Sequence, residues 1–472
     1  MSLTSALDSA KSSIATNSTL TSIVSRNIAN VNSTTATRKY ANVSTGADGT
    51  VTVMSVAQST NIALFRNKLD ATSESASLTA LTDGLEQLSS LTVGDTEDEI
   101  SPAALIGALE DALTSYSASP DSADLARSAM QAAENLVQGL NDASDVIETV
   151  RQDADDAIAT AADEMNDLLA QFQALNDKIV KGTTTGADVT DYIDQRDQIV
   201  SQLSEYVGIT VKTRANNDMV LYTDSGVTLF ETTARTVSYS ATVPLTAGEA
   251  GNSLYIDGVA VTGENATMPI QSGSIYGLTQ LRDEVCLTYQ NQLDQIAQQL
   301  VLAFSESDSG DEVFGVFTDS EADNPDSMDV NGLAGRISIS DDMGDYPFRD
   351  GASVDYNTDD ASGYTDRINE LIDNLNATVT FDSSAGIETS ATLVDFAASS
   401  VGWLEGERSN ATDEADYATT ILERTTEALS DATGINLDDE LTRLLEYEQS
   451  YQASAKLIST IDEMLDILLN GI

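Results

Sequence analysis

Histidine is absent from this 472-residue chain, and cysteine and tryptophan occur once each, as Cys286 and Trp403. Without histidine, Ser-His-Asp and Cys-His catalytic arrangements are excluded, as are Cys/His zinc sites. A single cysteine rules out any disulfide framework within one chain. Cys286 lies inside "LRDEVCLTYQNQL" (281 to 293), an apolar helical pattern, and reads as a small core residue rather than a reactive thiol. Aromatic residues make up 5% of a chain that is 41% hydrophobic. A core of Leu, Ile, Val and Ala suits helix bundles better than a deep aromatic pocket. Positive charge is also scarce, with 22 basic residues against 77 acidic ones and a net charge of −55. A field of that sign repels nucleic acid and anionic headgroups, so neither is an expected partner. No stretch of 18 uncharged apolar residues exists, so membrane insertion is not expected. The opening "MSLTSALDSAKSSIATNS" shows neither a basic n-region nor an apolar h-region, so no cleavable signal peptide is expected. Taken alone, these two features point to the cytoplasm.

Motifs of chemistry are missing too. "GxGxxG", "GxxxxGK[ST]" and "GxSxG" do not occur. A calcium loop starting at Ser327 would match at Asp329, Asn331 and Gly332. It fails at its first position and again at its twelfth, Ser338, where a bidentate Glu is needed. The acidic runs "DDE" (438 to 440) and "DEMLD" (462 to 466) read as solvated helix faces. Neither an enzyme nor a cofactor protein is expected.

What is present is periodicity. Leu3, Leu7, Ala10 and Ile14 follow helical spacing, continued by Leu20, Val24 and Ile28, so a helix is predicted over 3–31. "NVNSTTATRKY" (30 to 40) breaks it, and "TVTVMSV" (50 to 56) alternates like an extended segment. Helical spacing then persists for about 150 residues. Ser101-Pro102 and Ser119-Pro120-Asp121 mark helix starts. From Gly208 onward β-branched runs at 219–223, 227–231, 235–243 and 254–261 predict a small antiparallel β domain. Helical pattern returns at 275–305, at 365–375 and from about 390. Between them, 306–364 is rich in Asp, Ser and Gly, predicting loops and a few strands. The expected fold is α+β and mainly α. Terminal helices (1–33 with 437–472) pair, a helical middle domain takes 56–207, 272–306 and 365–436, and a β-rich outer domain takes 208–271 with 307–364.

The last helix carries Leu444, Tyr447, Tyr451, Ser454, Ile458, Ile461, Leu465, Leu468 and Ile472 at alternating steps of three and four, a heptad seam, with Leu441 one turn before it as a further expected contact. Such a helix is roughly 50 Å long. The first helix is its natural partner, in a coiled-coil-like pair. Two readings of that pair stay open: an intramolecular hairpin capping the bundle, or helices that order only when many subunits stack. The two stripes are the expected assembly contacts.

Three stretches carry a resemblance. "SRNIANVN" (25 to 32) resembles the N-terminal signature of flagellar axial proteins, and "INLDDELTRLLEYEQSYQASAKLISTIDEMLDILL" (435 to 469) their C-terminal one. The "D-x-R-D-x-x-x-x-x-L-S-x-x-V-G-I" pattern from Asp194 to Ile209 resembles the hook-associated protein 1 family of the hook–filament junction. The usual Thr-Pro-Gly-Tyr continuation of the first signature is replaced here by Ser33-Thr34-Thr35-Ala36. The resemblance implies a non-enzymatic building block, exported through the flagellar channel without signal cleavage and therefore extracellular. It implies a ring of copies of the chain itself between hook protein and a second junction protein, with an export chaperone covering the C-terminal helix beforehand. Rival readings are another axial protein, either the second junction protein or a flagellin, or an acidic secreted adhesin or binding module acting through its β part.

Overall fold

In the computed structural model, which describes residues 3–94, 100–341 and 343–470, helix α1 (Leu3–Ala29) leads into a hairpin of β1 (Lys39–Thr45) and β2 (Val51–Gln58). Four long helices follow: α2 (Ile62–Thr92), α3 (Pro102–Ala118), α4 (Ala123–Thr185) and α5 (Thr190–Tyr206). Side chains set three of their starts. Asn61, Ser101 and Ser122 accept the backbone N–H of Leu64, Ala104 and Leu125, satisfying donors that a helix leaves orphaned. The start expected at Ser119 falls at Ser122 because residues 119–122 close a turn, Ser122 N–H donating to the Ser119 carbonyl over 3.1 Å. With 63 residues, α4 is about 95 Å long at 1.5 Å per residue.

Six short strands follow α5. β3 (Ile209–Thr213), β4 (Met219–Thr223) and β5 (Thr228–Phe230) form one antiparallel sheet. β6 (Val237–Ser238), β7 (Tyr255–Ile256) and β8 (Val259–Ala260) form another. The single run expected at 254–261 is a hairpin instead, because Asp257 and Gly258 both take left-handed backbone (φ 52° and 80°), the signature of a tight two-residue turn. The run expected at 235–243 shortens to two paired residues. Beyond it the chain turns to hand the Tyr239 hydroxyl and the Thr242 N–H to Asp155 on α4.

α6 (Ser274–Gln280), one π turn over 281–285 and α7 (Cys286–Ala303) return to helix. β9 (Glu306–Asp308) with β10 (Asp311–Val313), and β11 (Phe317–Asp319) with β12 (Ile337–Ile339), make two-stranded ribbons. Then come α8 (Pro347–Asp350), α9 (Asp366–Leu375), the β13 (Val379–Thr380) and β14 (Ser390–Ala391) pair, α10 (Leu393–Thr433) and α11 (Leu437–Asn470). The architecture is mainly α with small antiparallel sheets.

Two hydrophobic cores share α4 as a common strut. Its first half (Leu136, Leu140, Ile147) packs with Leu85 and Leu88 of α2, Leu109 and Leu113 of α3, Tyr289 and Leu293 of α7, and Phe396 and Leu404 of α10. Its second half (Ile158, Met165, Leu169, Phe172) packs with Leu203 of α5 and with Val211, Leu221, Phe230 and Ile256 of the sheets. The grouping of 208–271 with 307–364 into one β domain is therefore corrected. Phe317, Leu333, Ile337 and Phe348 belong to the first core, and the earlier strands belong to the second. The two segments share composition but no sheet, and each fills the helical surface nearest to it.

α6 lies so close to α2 that a Cβ on Gly277 would come within 2.1 Å of the Ser77 carbonyl oxygen. Since the obstacle is backbone, Gly277→Ala is expected to cost about 1–3 kcal/mol despite alanine's better helix propensity. The check is a lower midpoint in thermal denaturation followed by circular dichroism.

Candidate assembly interface

α1 and α11 pair antiparallel, and three side-chain contacts give the register. Ser13 Oγ lies 2.9 Å from Ser454 Oγ. Asn17 Nδ2 donates to Ser450 Oγ over 2.9 Å, and Asn27 Nδ2 to Glu440 Oε2 over 2.9 Å. In each pair the two residue numbers add to 467, so the helices run past one another without a slip. Polar groups on an otherwise apolar seam specify register, because any shift would strand them unpaired.

Asn27, in the "SRNIANVN" signature, is 1% exposed and grips three groups. Its amide donates to the Lys39 carbonyl (2.8 Å) and to Glu440, while its oxygen accepts the Lys39 N–H (3.1 Å). Glu440 Oε1 takes a further hydrogen bond from Arg38 Nε at 2.8 Å. One asparagine thus joins the first helix, the start of the hairpin and the last helix. Glu440 is 1% exposed, which corrects its reading as part of a solvated acidic face. The sequence carried a signal for it: Glu440 stands four residues before Leu444, where the seam spacing continues backwards. Asn27 likewise follows Val24 at a seam interval.

A second face of α1 meets the hairpin through hydroxyls. Ser9 Oγ donates to the Gly49 carbonyl (2.7 Å) and Thr16 Oγ1 to the Val51 carbonyl (2.8 Å), while Ser12 Oγ accepts the Val51 N–H (3.0 Å). The expected apolar stripe therefore does not form the whole contact. Of its α1 members, Val24 is buried, with Ile23 beside it, while Leu3, Leu7, Ile14, Leu20 and Ile28 are half-buried. On α11 Ile461 is buried, and Leu444, Tyr447 and Ile458 are half-buried. Leu441, Tyr451, Leu465 and Leu468 are exposed, so the seam is covered only in part by α1. Ile472, placed on it by spacing, lies outside the described residues. Leu445, Leu457, Ile467 and Leu469 add exposed apolar surface on α11.

Elsewhere, one buried polar cluster stands out. Arg282, wholly buried, donates to Asp155 Oδ1 (2.6 Å), to both Asp283 oxygens (2.8 and 2.7 Å), to the Asn252 carbonyl (3.1 Å) and to the Tyr239 hydroxyl. Burial opposes its charge, but the Asp283 hydrogen bonds and charge outweigh it and hold the guanidinium above its ordinary pKa. Arg151 donates beside it to the carbonyls of Arg282, Thr246 and Glu249. The cluster bolts the β6–β8 region to α4. Cys286 is fully buried, and burial pushes its thiol up to about 12. Among the described residues, no three His, Cys, Asp or Glu side chains are grouped to hold a metal ion. None of the described helices is long and apolar enough to cross a membrane.

Comparison with known proteins shows what the chain is similar to. Residues 85–311 match the family described as "Flagellar hook-associated protein FlgK helical domain", and residues 430–471 match "Flagellar basal body rod FlgEFG protein C-terminal". Flagellar hook-associated protein 1 of Bacillus subtilis (strain 168) is 25% identical over 338 residues, covering 65% of this chain and 63% of that one. The Escherichia coli (strain K12) protein of the same name is 26% identical over 321 residues, covering 64% and 57%. The Salmonella typhimurium counterpart is 33% identical over 144 residues, covering 30% and 26%. The matched region thus spans less than two thirds of each relative's length. A solved structure of the flagellar hook junction protein FlgK from Burkholderia pseudomallei aligns at 20% identity and a TM-score of 0.43, covering 54% of this chain and 47% of that one. With a helical-domain match through the middle, an axial-protein match at α11 and relatives of one name across several bacteria, this chain is similar to flagellar hook-associated protein 1.

Proposed function

We propose that the chain is a structural adaptor at the junction between flagellar hook and filament, where copies of it form a ring on which the filament grows. The observation that carries this reading is the row of apolar seam side chains on α11 (Tyr451, Leu465, Leu468), with exposed Leu441 nearer its start, left uncovered in a helix pair whose register is already fixed. Large apolar groups in one row on a strongly charged molecule mark a contact surface. Neighbouring copies are the occupants within the ring, with hook protein on one side and a second junction protein on the other. An export chaperone covers α11 before assembly, and the protein works outside the cell as a structural rather than catalytic part, exported without signal cleavage. The names of the relatives, the family matches and the seam spacing support this.

The β segment 212–270 shares a core with α4 and α5, so deleting it would unfold its surroundings. A cleaner test pairs truncation after Asn436 with polar substitution of Val243, Tyr255 and Val259, exposed on the β side. Truncation is expected to leave hooks without filaments in electron micrographs and to abolish swimming, while the β-surface variant swims normally. The reverse ordering would replace the junction reading with a binding module acting through its β surface.

A further inference from the structure

Lys39 is held at both ends by different parts of the molecule. Its backbone belongs to the terminal pair, where Asn27 takes both its N–H and its carbonyl. Its side chain, 3% exposed, leaves the pair and ends among carboxylates of α5, with Nζ against Asp191 and 3.3 Å from Asp194 Oδ2. A buried ammonium is retained only when so paired.

Neighbouring groups repeat the pattern. Asp194 also accepts the Thr37 hydroxyl (2.6 Å) and N–H (3.3 Å) from the connector ahead of β1. Arg26, next to Asn27 on α1, reaches Asp188 (2.9 Å) and Asp191 (3.4 Å). Asp188 is itself oriented by the N–H and hydroxyl of Thr190. Two cations and a threonine from the terminal part thus meet three carboxylates at the start of α5.

α5 is anchored in turn. Arg196, also 3% exposed, donates to Asn176 Oδ1 on α4 (3.0 Å) and to the Asn217 carbonyl (2.6 Å). Residues two apart on a helix point to opposite sides. Asp194 and Arg196 therefore face different bodies, one toward the terminal pair and the other toward the middle of the molecule. That two-residue spacing is the Asp-x-Arg of the motif running from Asp194 to Ile209.

We propose that Lys39 and Asp194 are positioning residues of a charged joint that sets the angle of the α1–α11 pair against the helical body, with Arg26 and Asp191 as its outer ring. The adaptor reading enters only in the consequence, that an unset angle spoils ring packing. The orientation itself is measurable on the free protein.

The test is a distance measurement between spin labels in the purified full chain. The sole native thiol is buried, so labels go to introduced cysteines. Ser18→Cys with Asp167→Cys spans the joint, and Ser18→Cys with Gln452→Cys lies within the pair. The native joint is expected to give one narrow distance. Lys39→Met and Asp194→Asn are each expected to broaden the Ser18–Asp167 distribution at least twofold while the Ser18–Gln452 distribution stays narrow. An unchanged Ser18–Asp167 width in both variants overturns the proposal. So does equal broadening of both distances, since Lys39 would then hold the pair together rather than aim it. Missing filaments in a strain whose protein keeps the native distances would bear on the adaptor reading alone.

Discussion

Arg282→Ala is expected to lower stability by about 3–5 kcal/mol, because removing one partner of a buried pair strands the other charge. Asp155 and Arg282 are both fully buried. Without the guanidinium, Asp155 keeps the Tyr239 hydroxyl and the Thr242 N–H but no counter-charge. At about 2–4 °C per kcal/mol, the melting midpoint should fall by on the order of 10 °C. Gly251 adds a reason why nothing refills the space easily: it packs so tightly on the guanidinium that a Cβ there would lie 2.3 Å from Arg282 Cζ. The matching double variant, Arg282→Met with Asp155→Asn, removes both charges and should recover at least about 1 kcal/mol relative to the sum of the single changes. A single variant within about 0.5 kcal/mol of the wild type, the range of ordinary surface substitutions, would show that the cluster does not bolt the β region to α4.

The second large effect is on assembly. Leu465→Asp and Ile461→Asp are both expected to abolish filament growth, and the isolated proteins should tell the two apart. Leu465 is exposed, so its aspartate variant should melt within about 0.5 kcal/mol of the wild type while its strain shows bare hooks. Ile461 is 6% exposed within the α1 contact. A carboxylate there is desolvated without a partner, a cost of several kcal/mol, and hydrogen exchange of α1 and α11 should quicken while the two cores stay protected. Swimming cells carrying full-length filaments in both strains would remove the seam from the assembly surface.

Much of the helical chain was legible because its physics is local. Apolar spacing located the long helices, serine and proline marked their starts, and β-branched alternation after Gly208 marked the switch to strands. The hairpin of β1 was hidden because Lys39–Thr45 is mostly polar and its outward face is exposed. The partition into cores was hidden too, since similar composition at 208–271 and 307–364 says nothing about which stretch of α4 each one covers. At the terminal pair, spacing located the partners and buried members such as Val24 and Ile461, but not the polar side chains that set the register. Leucines advertise a seam, yet Asn17, Asn27, Ser450 and Glu440 fix its register, and an apolar pattern marks such polar groups only by their place at a seam interval, not by their type. Asp194 and Arg196 stood out only by resemblance, and their task became readable once their opposite partners were in place.

Six of the 22 basic residues, Lys39, Arg151, Arg196, Arg282, Arg349 and Arg367, are tucked inside. The outside of the molecule is left poorer in cations than the composition suggests. Two copies laid flank to flank would meet mostly like charge, with little to bridge it. Added electrolyte, which shortens the reach of that repulsion from about 10 Å at 0.1 M to about 3 Å at 1 M, should therefore draw such copies together. Brine would act here as mortar, where a protein joined by surface ion pairs would find it a solvent.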